Sequence, residues 1–187
     1  VNKVPYLLKR DVFSNEELQL IYDELQFLKQ LMKQPEETAS ATGLDGNYIK
    51  NNNGVFLESV YSKGSNSSIF KIVTKNIPQF IEEYSNIEIT NRSALNCNSS
   101  WTLASHYEHN GYYAPHTDAT VATILFWFNK EPRTFSGGDL IFNDTDEVIE
   151  YQNNTMIIFP GWAMHSVPKL KGEGRYCVTV GLNIAPQ

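Results

Sequence analysis

The sequence predicts a mainly β protein with helices ahead of its strands, an α+β arrangement whose strands form a double-sheet jelly roll. Three observations carry that expectation. Apolar residues recur at helical spacing in two long stretches before Ile87, the period changes to two after Ile87, and the strands so marked are short and separated by Asn, Gly, Asp and Pro. A length of 187 residues with 41% hydrophobic, 12% aromatic and 19% charged residues suits one globular core.

In chain order, Ser14 followed by Glu17 has the spacing of a capping box. Leu18, Ile21, Tyr22, Leu25, Leu28 and Met32 then recur on one helical face until Pro35, which predicts an amphipathic helix over about residues 15–34. Between Glu36 and Ser68 the chain turns polar and glycine-rich (TASATGLDGNYIKNNNG, then SKGSNSS), interrupted by an apolar alternation over 55–61. This pattern predicts two mobile loops, residues 38–54 and 62–68, flanking a strand. Ile69, Ile72, Val73, Ile77, Phe80, Ile81 and Tyr84 form a second helical stripe, which Pro78 is expected to kink or split because it has no amide proton. Strands follow at about 101–108, 121–129, 138–142, 148–151, 155–159 and 175–183, with no internal repeat or linker.

A formal charge of -6 and a pI near 5.2 leave no basic footprint, so neither nucleic acid nor an anionic membrane is an expected partner. The longest purely apolar run, ILFWF, falls far short of the ~20 residues of a membrane helix, and a soluble protein is expected. Cys97 and Cys177 are too few for a disulfide framework or a zinc cluster. Read as free thiols, they point to a reducing compartment, so a cytoplasmic location is expected. The chain opens at Val1 without a Met, so processing or a chosen boundary removed what preceded it.

His116 and Asp118 lie two apart beside a predicted strand, where a period of two points both side chains the same way. Alone, the pair is equally a surface salt bridge. A second histidine would complete a facial set of two imidazoles and one carboxylate, which suits iron(II) and leaves positions open for cosubstrate and oxygen. His106 alternates to the face opposite Tyr107 and His109 lies in the turn EHNG, whereas His165 follows the strand TMIIF and the turn PGWAM. His165 is the favoured third ligand. Arg175 opens the strand RYCVTVGL, on which Arg175, Cys177 and Thr179 share one face. An arginine on an inward strand face calls for an anion, and its fork fits a carboxylate to which Thr179 can add a hydroxyl.

From about Leu103 to Leu182 the chain resembles the prolyl 4-hydroxylase branch of the Fe(II)/2-oxoglutarate-dependent dioxygenases. The resemblance lies in the order Tyr107, GYYAPHTD, VATILFWFNK, SGGDLIF, TMIIFPGWAMHSV and GEGRYCVTVGL. It implies a distorted double-stranded β-helix, cupin-like, of about eight strands over residues 87–187, supported by helices over 1–86, the whole chain forming one catalytic domain. It implies His116, Asp118 and His165 as metal ligands and Arg175, with Tyr107 and Thr179, as the seat of the far carboxylate of 2-oxoglutarate. Trp127 stands where many relatives carry a tyrosine near the cosubstrate, so a hydroxyl contact is missing there and the pocket is expected to be narrower. Tyr113 either lines the pocket or packs beside Pro115, and the glycines of SGGDL are read as shaping a turn.

The implied activity is hydroxylation of a C–H bond of peptidyl proline, using Fe(II), 2-oxoglutarate and O2, with ascorbate as an accessory reductant, and releasing succinate and CO2. The implied partner is a proline-containing peptide or protein, held beneath a lid formed by the two glycine- and asparagine-rich stretches; the oligomeric state stays open. Two alternatives remain at this point: oxidation of a free amino acid or other small molecule, and a non-catalytic cupin-like binding module, which would have no need of all four site residues.

Overall fold

The computed structural model describes residues 3–38, 46–62 and 66–186. In chain order its elements begin with strand β1 (Leu7–Arg10), helix α1 (Asn15–Lys29), strands β2 (Lys50–Asn51) and β3 (Asn53–Phe56), the one-turn helix α2 (Leu57–Val60) and helix α3 (Ser68–Ser85). A 3-10 segment over Ile89–Asn96 leads into β4 (Ser99–Tyr107), β5 (Tyr112–His116), β6 (Ala122–Phe128), β7 (Phe135–Ser136), β8 (Leu140–Phe142) and β9 (Glu147–Ile149). The chain closes with β10 (Thr155–Pro160), β11 (His165–Val167), β12 (Lys171–Gly172) and β13 (Arg175–Asn183). No helix of the described residues is long and apolar enough to cross a membrane.

Two antiparallel sheets form the walls of a double-stranded β-helix. The larger has the order β1-β10-β6-β13-β4-β3 and the smaller β2-β5-β11-β8-β9. Alternation divides the residues of the larger sheet between two cores. Phe126, Phe128, Val178 and Val180 pack against Ile21, Leu25 and Leu28 of α1 and Val73 and Phe80 of α3. Leu125, Trp127, Tyr107 and Cys177 face Leu140, Phe142 and Val167 of the smaller sheet. Because both faces of the larger sheet are covered, β6 is buried at every position, which is why ILFWF reads as a continuous apolar run rather than an alternation.

The Ser14–Glu17 capping box forms, with the Ser14 hydroxyl accepting from the Glu17 amide at 3.3 Å and the Glu17 carboxylate accepting from the Ser14 amide at 3.0 Å. Helix α1 ends at Lys29, short of the expected residue 34, because Lys33 is drawn into a bridge with Gly54 through backbone hydrogen bonds of 2.8 and 2.9 Å. Helix α3 runs through Pro78 as one element, so the expected split does not occur. The strand expected over 55–61 is instead β3 followed directly by α2. The loop expected over 38–54 is in part ordered pairing: Lys50 and Asn51 pair with Tyr113 and Tyr112, and Asn53–Phe56 pairs with β4. Residues 39–45 of this loop and residues 63–65 of the second loop lie outside the described residues.

The expected order of helices first and strands afterwards is therefore corrected. The N-terminal half supplies both outer strands of the larger sheet, β1 and β3, and among the described residues after Ile87 there are ten strands, β4–β13, rather than about eight. β1 carried no sequence signal because LLKR is too short to show alternation. At Asn52 the chain crosses from the smaller sheet to the larger, and the Asn52 side chain is buried there at the wall of the central cavity.

Candidate active site

Three segments meet at one place on the inner face of the smaller sheet. His116 is the last residue of β5, His165 is the first of β11, and the two are direct cross-strand partners with ring centroids 4.2 Å apart. Asp118 lies in the turn after β5, where its amide donates to the Gly161 carbonyl at 2.9 Å, tying the turn beyond His116 to the turn before His165. The Thr123 hydroxyl donates to Asp118 Oδ2 at 2.6 Å and itself lies 2.9 Å from the Thr120 hydroxyl. A hydrogen-bonded outer shell of this kind fixes how a carboxylate ligand is presented.

Each imidazole is oriented by a carbonyl two residues earlier: Nδ1 of His116 lies 2.8 Å from the Ala114 oxygen and Nδ1 of His165 lies 2.9 Å from the Ala163 oxygen. Since a carbonyl only accepts, the proton sits on Nδ1 and the Nε2 lone pair is left bare. The two Nε2 atoms lie 3.6 and 3.7 Å from the Asp118 carboxylate, and the three candidate ligand atoms all fall within 4.8 Å of one another. Burial, reinforced by neighbouring His165, holds the His116 pKa down to about 4, so its ring is neutral at physiological pH. Two imidazoles and a carboxylate form a donor set that fits a divalent first-row metal. His106 and His109 lie elsewhere: His106 sits on the opposite face of β4 with its ring 4.5 Å from that of Tyr176, and His109 accepts from the Gly172 amide in a turn.

The triad opens onto a cavity of about 430 Å³ between the sheets. Strands β13 and β4 form a ladder along its wall, pairing Arg175 with Tyr107, Cys177 with Ser105, and Thr179 with Leu103. Arg175 is only 1% exposed. Its Nε donates to the Gly138 carbonyl at 3.1 Å, its guanidinium lies over the rings of Tyr107 and Tyr151 at 4.4 and 5.2 Å, and its two terminal nitrogens have no hydrogen-bond partner among the described residues. A buried cation with vacant donors requires an anion. Beside it the Tyr107 phenol is pushed up to about 12 by burial and so stays a neutral hydroxyl.

Tyr113 both packs and lines the cavity, stacking on the His116 ring at 3.5 Å. Trp127 does not reach the wall: it is fully buried behind it, stacked on Tyr151 at 5.5 Å, which corrects its expected place beside a cosubstrate. The glycines of SGGDL do more than turn the chain. Gly138 has φ +88°, its carbonyl holds Arg175, and a Cβ there would stand 2.8 Å from Arg175 Cδ. Sequence reasoning also missed Lys50 and Thr123. Lys50, 3% exposed in the cavity wall with burial lowering its pKa to about 8, lay inside a stretch read as a loop, and Thr123 sits in a run that reads only as core strand.

A jelly roll with two imidazoles and a carboxylate on one wall and a guanidinium with vacant donors in the same cavity defines a class: non-haem, metal-dependent enzymes that bind an anionic cosubstrate. Residues 102–181 match the profile of the 2OG-Fe(II) oxygenase superfamily. That matched region lies in a prolyl hydroxylase-like fold, and the protein is a dioxygenase that uses Fe(II), 2-oxoglutarate and O2. No curated protein sequence matches it. Among solved structures it is similar to a prolyl-4-hydroxylase from Pseudomonas putida, with a TM-score of 0.72 at 11% identity over 98% of this chain and 94% of that one. A prolyl hydroxylase from Trichoplax adhaerens, in complex with a peptide fragment of the hypoxia inducible factor oxygen degradation domain, gives a TM-score of 0.71 at 12% identity over 96% and 83%. A collagen prolyl hydroxylase of Paramecium bursaria Chlorella virus-1, in complex with 2-oxoglutarate, gives 0.63 at 12% identity over 95% of each chain. At such identities the likeness establishes the fold.

Proposed function

We propose that this dioxygenase hydroxylates a C–H bond of peptidyl proline and releases succinate and CO2. His116, Asp118 and His165 would hold the iron. Arg175, with Tyr107 and Thr179, would take the far carboxylate of 2-oxoglutarate. The observation that carries the cosubstrate assignment is the pair of buried Arg175 terminal nitrogens that have no hydrogen-bond partner among the described residues. When bound, Fe(II) with 2-oxoglutarate and O2 supplies an oxidative decarboxylation whose oxidising power hydroxylates the substrate. The protein's own part is orientation. The Ala114 and Ala163 carbonyls keep the Nε2 lone pairs aimed at one point, and Thr123 holds one Asp118 oxygen by hydrogen bond, leaving Oδ1 as the free donor. The apolar residues Phe56, Trp101 and Leu103 of the cavity wall would limit water around the reacting bond.

The choice of peptidyl proline rests on the prolyl hydroxylases that share the fold, one of them holding a peptide fragment. A free amino acid is the second reading, favoured by one observation: the basic side chain of Lys50, over the Tyr113 ring in the cavity wall, gives the cavity a charge complementary to a free carboxylate, which a peptide interior lacks. Succinate formation with a panel of proline-containing peptides, set against free proline, decides between them. Turnover with peptides alone is the expected result, and turnover with free proline alone would replace the first reading by the second. His116→Ala, Asp118→Ala and His165→Ala are each expected to abolish iron-dependent turnover with the fold retained by circular dichroism. Retained activity in any one of them would remove it from the ligand set.

A further inference from the structure

The ladder that carries Arg175 continues beyond Thr179. Its fourth pair, Gly181 with Trp101, is the last on that face to reach the cavity, and there the only glycine of β13 lies opposite a tryptophan. A Cβ on Gly181 would fall inside the Trp101 indole, 2.6 Å from Nε1. The missing side chain therefore gives the edge of the indole a seat on the β13 backbone, and no other residue type at 181 would permit that position. Trp101 is half-buried and meets Phe56 edge-to-face, with centroids 5.8 Å apart and planes at 78°. Phe56 in turn pairs across β3 and β4 with Leu103. Trp101, Phe56 and Leu103 all line the cavity, so its outer end has an aromatic corner without a charged group.

Spacing shows what the corner is available for. Successive pairs on one face of the ladder are about 6.7 Å apart, so a five-carbon dicarboxylate anchored on Arg175 reaches no further than about two of them. The Trp101 pair lies beyond that reach and is left to the substrate. We infer that Trp101, seated on Gly181 and braced by Phe56, is the wall against which the substrate's pyrrolidine ring packs, and that the Trp101–Gly181 pair is a specificity determinant of this enzyme. The inference rests on the prolyl reading above. A saturated five-membered ring is rigid and apolar on its faces, loses little conformational entropy on docking, and suits an aromatic groove better than a flexible or charged side chain does.

The test uses the full chain with Fe(II) and 2-oxoglutarate. Without oxygen, the Trp162→Phe background removes the exposed indole (58%) and leaves Trp101 as the half-buried reporter beside the fully buried Trp127. A proline peptide is expected to shift the tryptophan emission saturably in this background and to produce no shift when Trp101→Ala is added. With oxygen, Trp101→Ala should raise the peptide KM roughly tenfold or more, while the KM for 2-oxoglutarate moves less than about twofold, and Trp101→Phe should recover part of the loss. Gly181→Ala, which expels the indole without removing it, should reproduce the peptide defect, and the double variant should be no worse than Trp101→Ala alone. Wild-type turnover of proline peptides combined with an unchanged peptide KM in Trp101→Ala would overturn this inference and leave the prolyl reading standing. No succinate from the wild type with any proline peptide would overturn both.

Discussion

Arg175 is an ionised group that folding has removed from water with only one of its nitrogens, the Nε on Gly138, satisfied among the described residues. Arg175→Ala should raise the 2-oxoglutarate concentration needed for half-saturation by about 30- to 1000-fold, the equivalent of about 2–4 kcal/mol for a buried charge-assisted pair. Iron affinity should stay nearly constant, so separate calorimetric titrations of metal and cosubstrate distinguish the effects. Gly138→Ala should act in the same direction but less strongly, because its Cβ would press on Arg175 from 2.8 Å and its φ of +88° strains any side chain. His106 has a different consequence. It is 1% exposed, packed between Tyr176 and the neighbourhood of Lys29 and Glu108, and burial followed by the Lys29 charge lowers its pKa to about 4. Between the ordinary value of about 6.5 and 4, the unfolded chain takes up a proton that the folded chain refuses, so stability falls as pH drops through that window. Urea unfolding at pH 7.5 and at pH 4.5 should differ by up to about 3 kcal/mol more in the wild type than in His106→Phe. Equal pH dependence in the two proteins would refute the assignment. The buried neutral state of His106 could not be read from its spacing; the sequence indicated only the face on which it lies.

At the scale of elements, local signals were legible wherever one element's own residues decide its form. The Ser14–Glu17 box, the six strands expected in the second half and the shared face of Arg175, Cys177 and Thr179 follow from capping chemistry and alternation. They failed where a distant backbone intervenes. Helix α1 stops early because Lys33 bonds to Gly54, and residues 50–54 are ordered by β5 and β4. Helix α3 tolerates Pro78 because Val73, Phe80 and Tyr84 anchor the helix on both sides of it. That packing offsets the missing amide rather than removing its cost. Pro78 is exposed, so Pro78→Ala should restore the lost bond to the Thr74 carbonyl without a clash and stabilise the protein by about 1–2 kcal/mol, less the extra freedom of the unfolded chain. Thermal unfolding measures it, and a lowered Tm would show that the proline serves the packing.

For the whole molecule, the candidate metal site exists only when β5, the turn after it and β11 are assembled, so the metal binds the folded state and not the unfolded one. Iron with 2-oxoglutarate at about 100 times its dissociation constant should add about 2.7 kcal/mol, a rise in Tm of roughly 5–10 °C for a chain of this size. A chelator should reverse the rise, and His165→Ala should show none; an identical rise in that variant would place the metal elsewhere. The sequence by itself determined the class of fold and the inward arginine, because side-chain direction on a strand or helix depends on spacing along a few residues, whereas Asp118 lies beyond the end of β5 and is aimed by its bonds to Gly161 and Thr123. Only the tertiary structure decided that His165 stands opposite His116, that β1 and β3 frame the larger sheet, that Lys50 and Asn52 reach the cavity, and that Trp101 rests on Gly181. Those are pairings between residues far apart in the chain. They are selected by covering both faces of a sheet and closing its hydrogen bonds, conditions that no local pattern records.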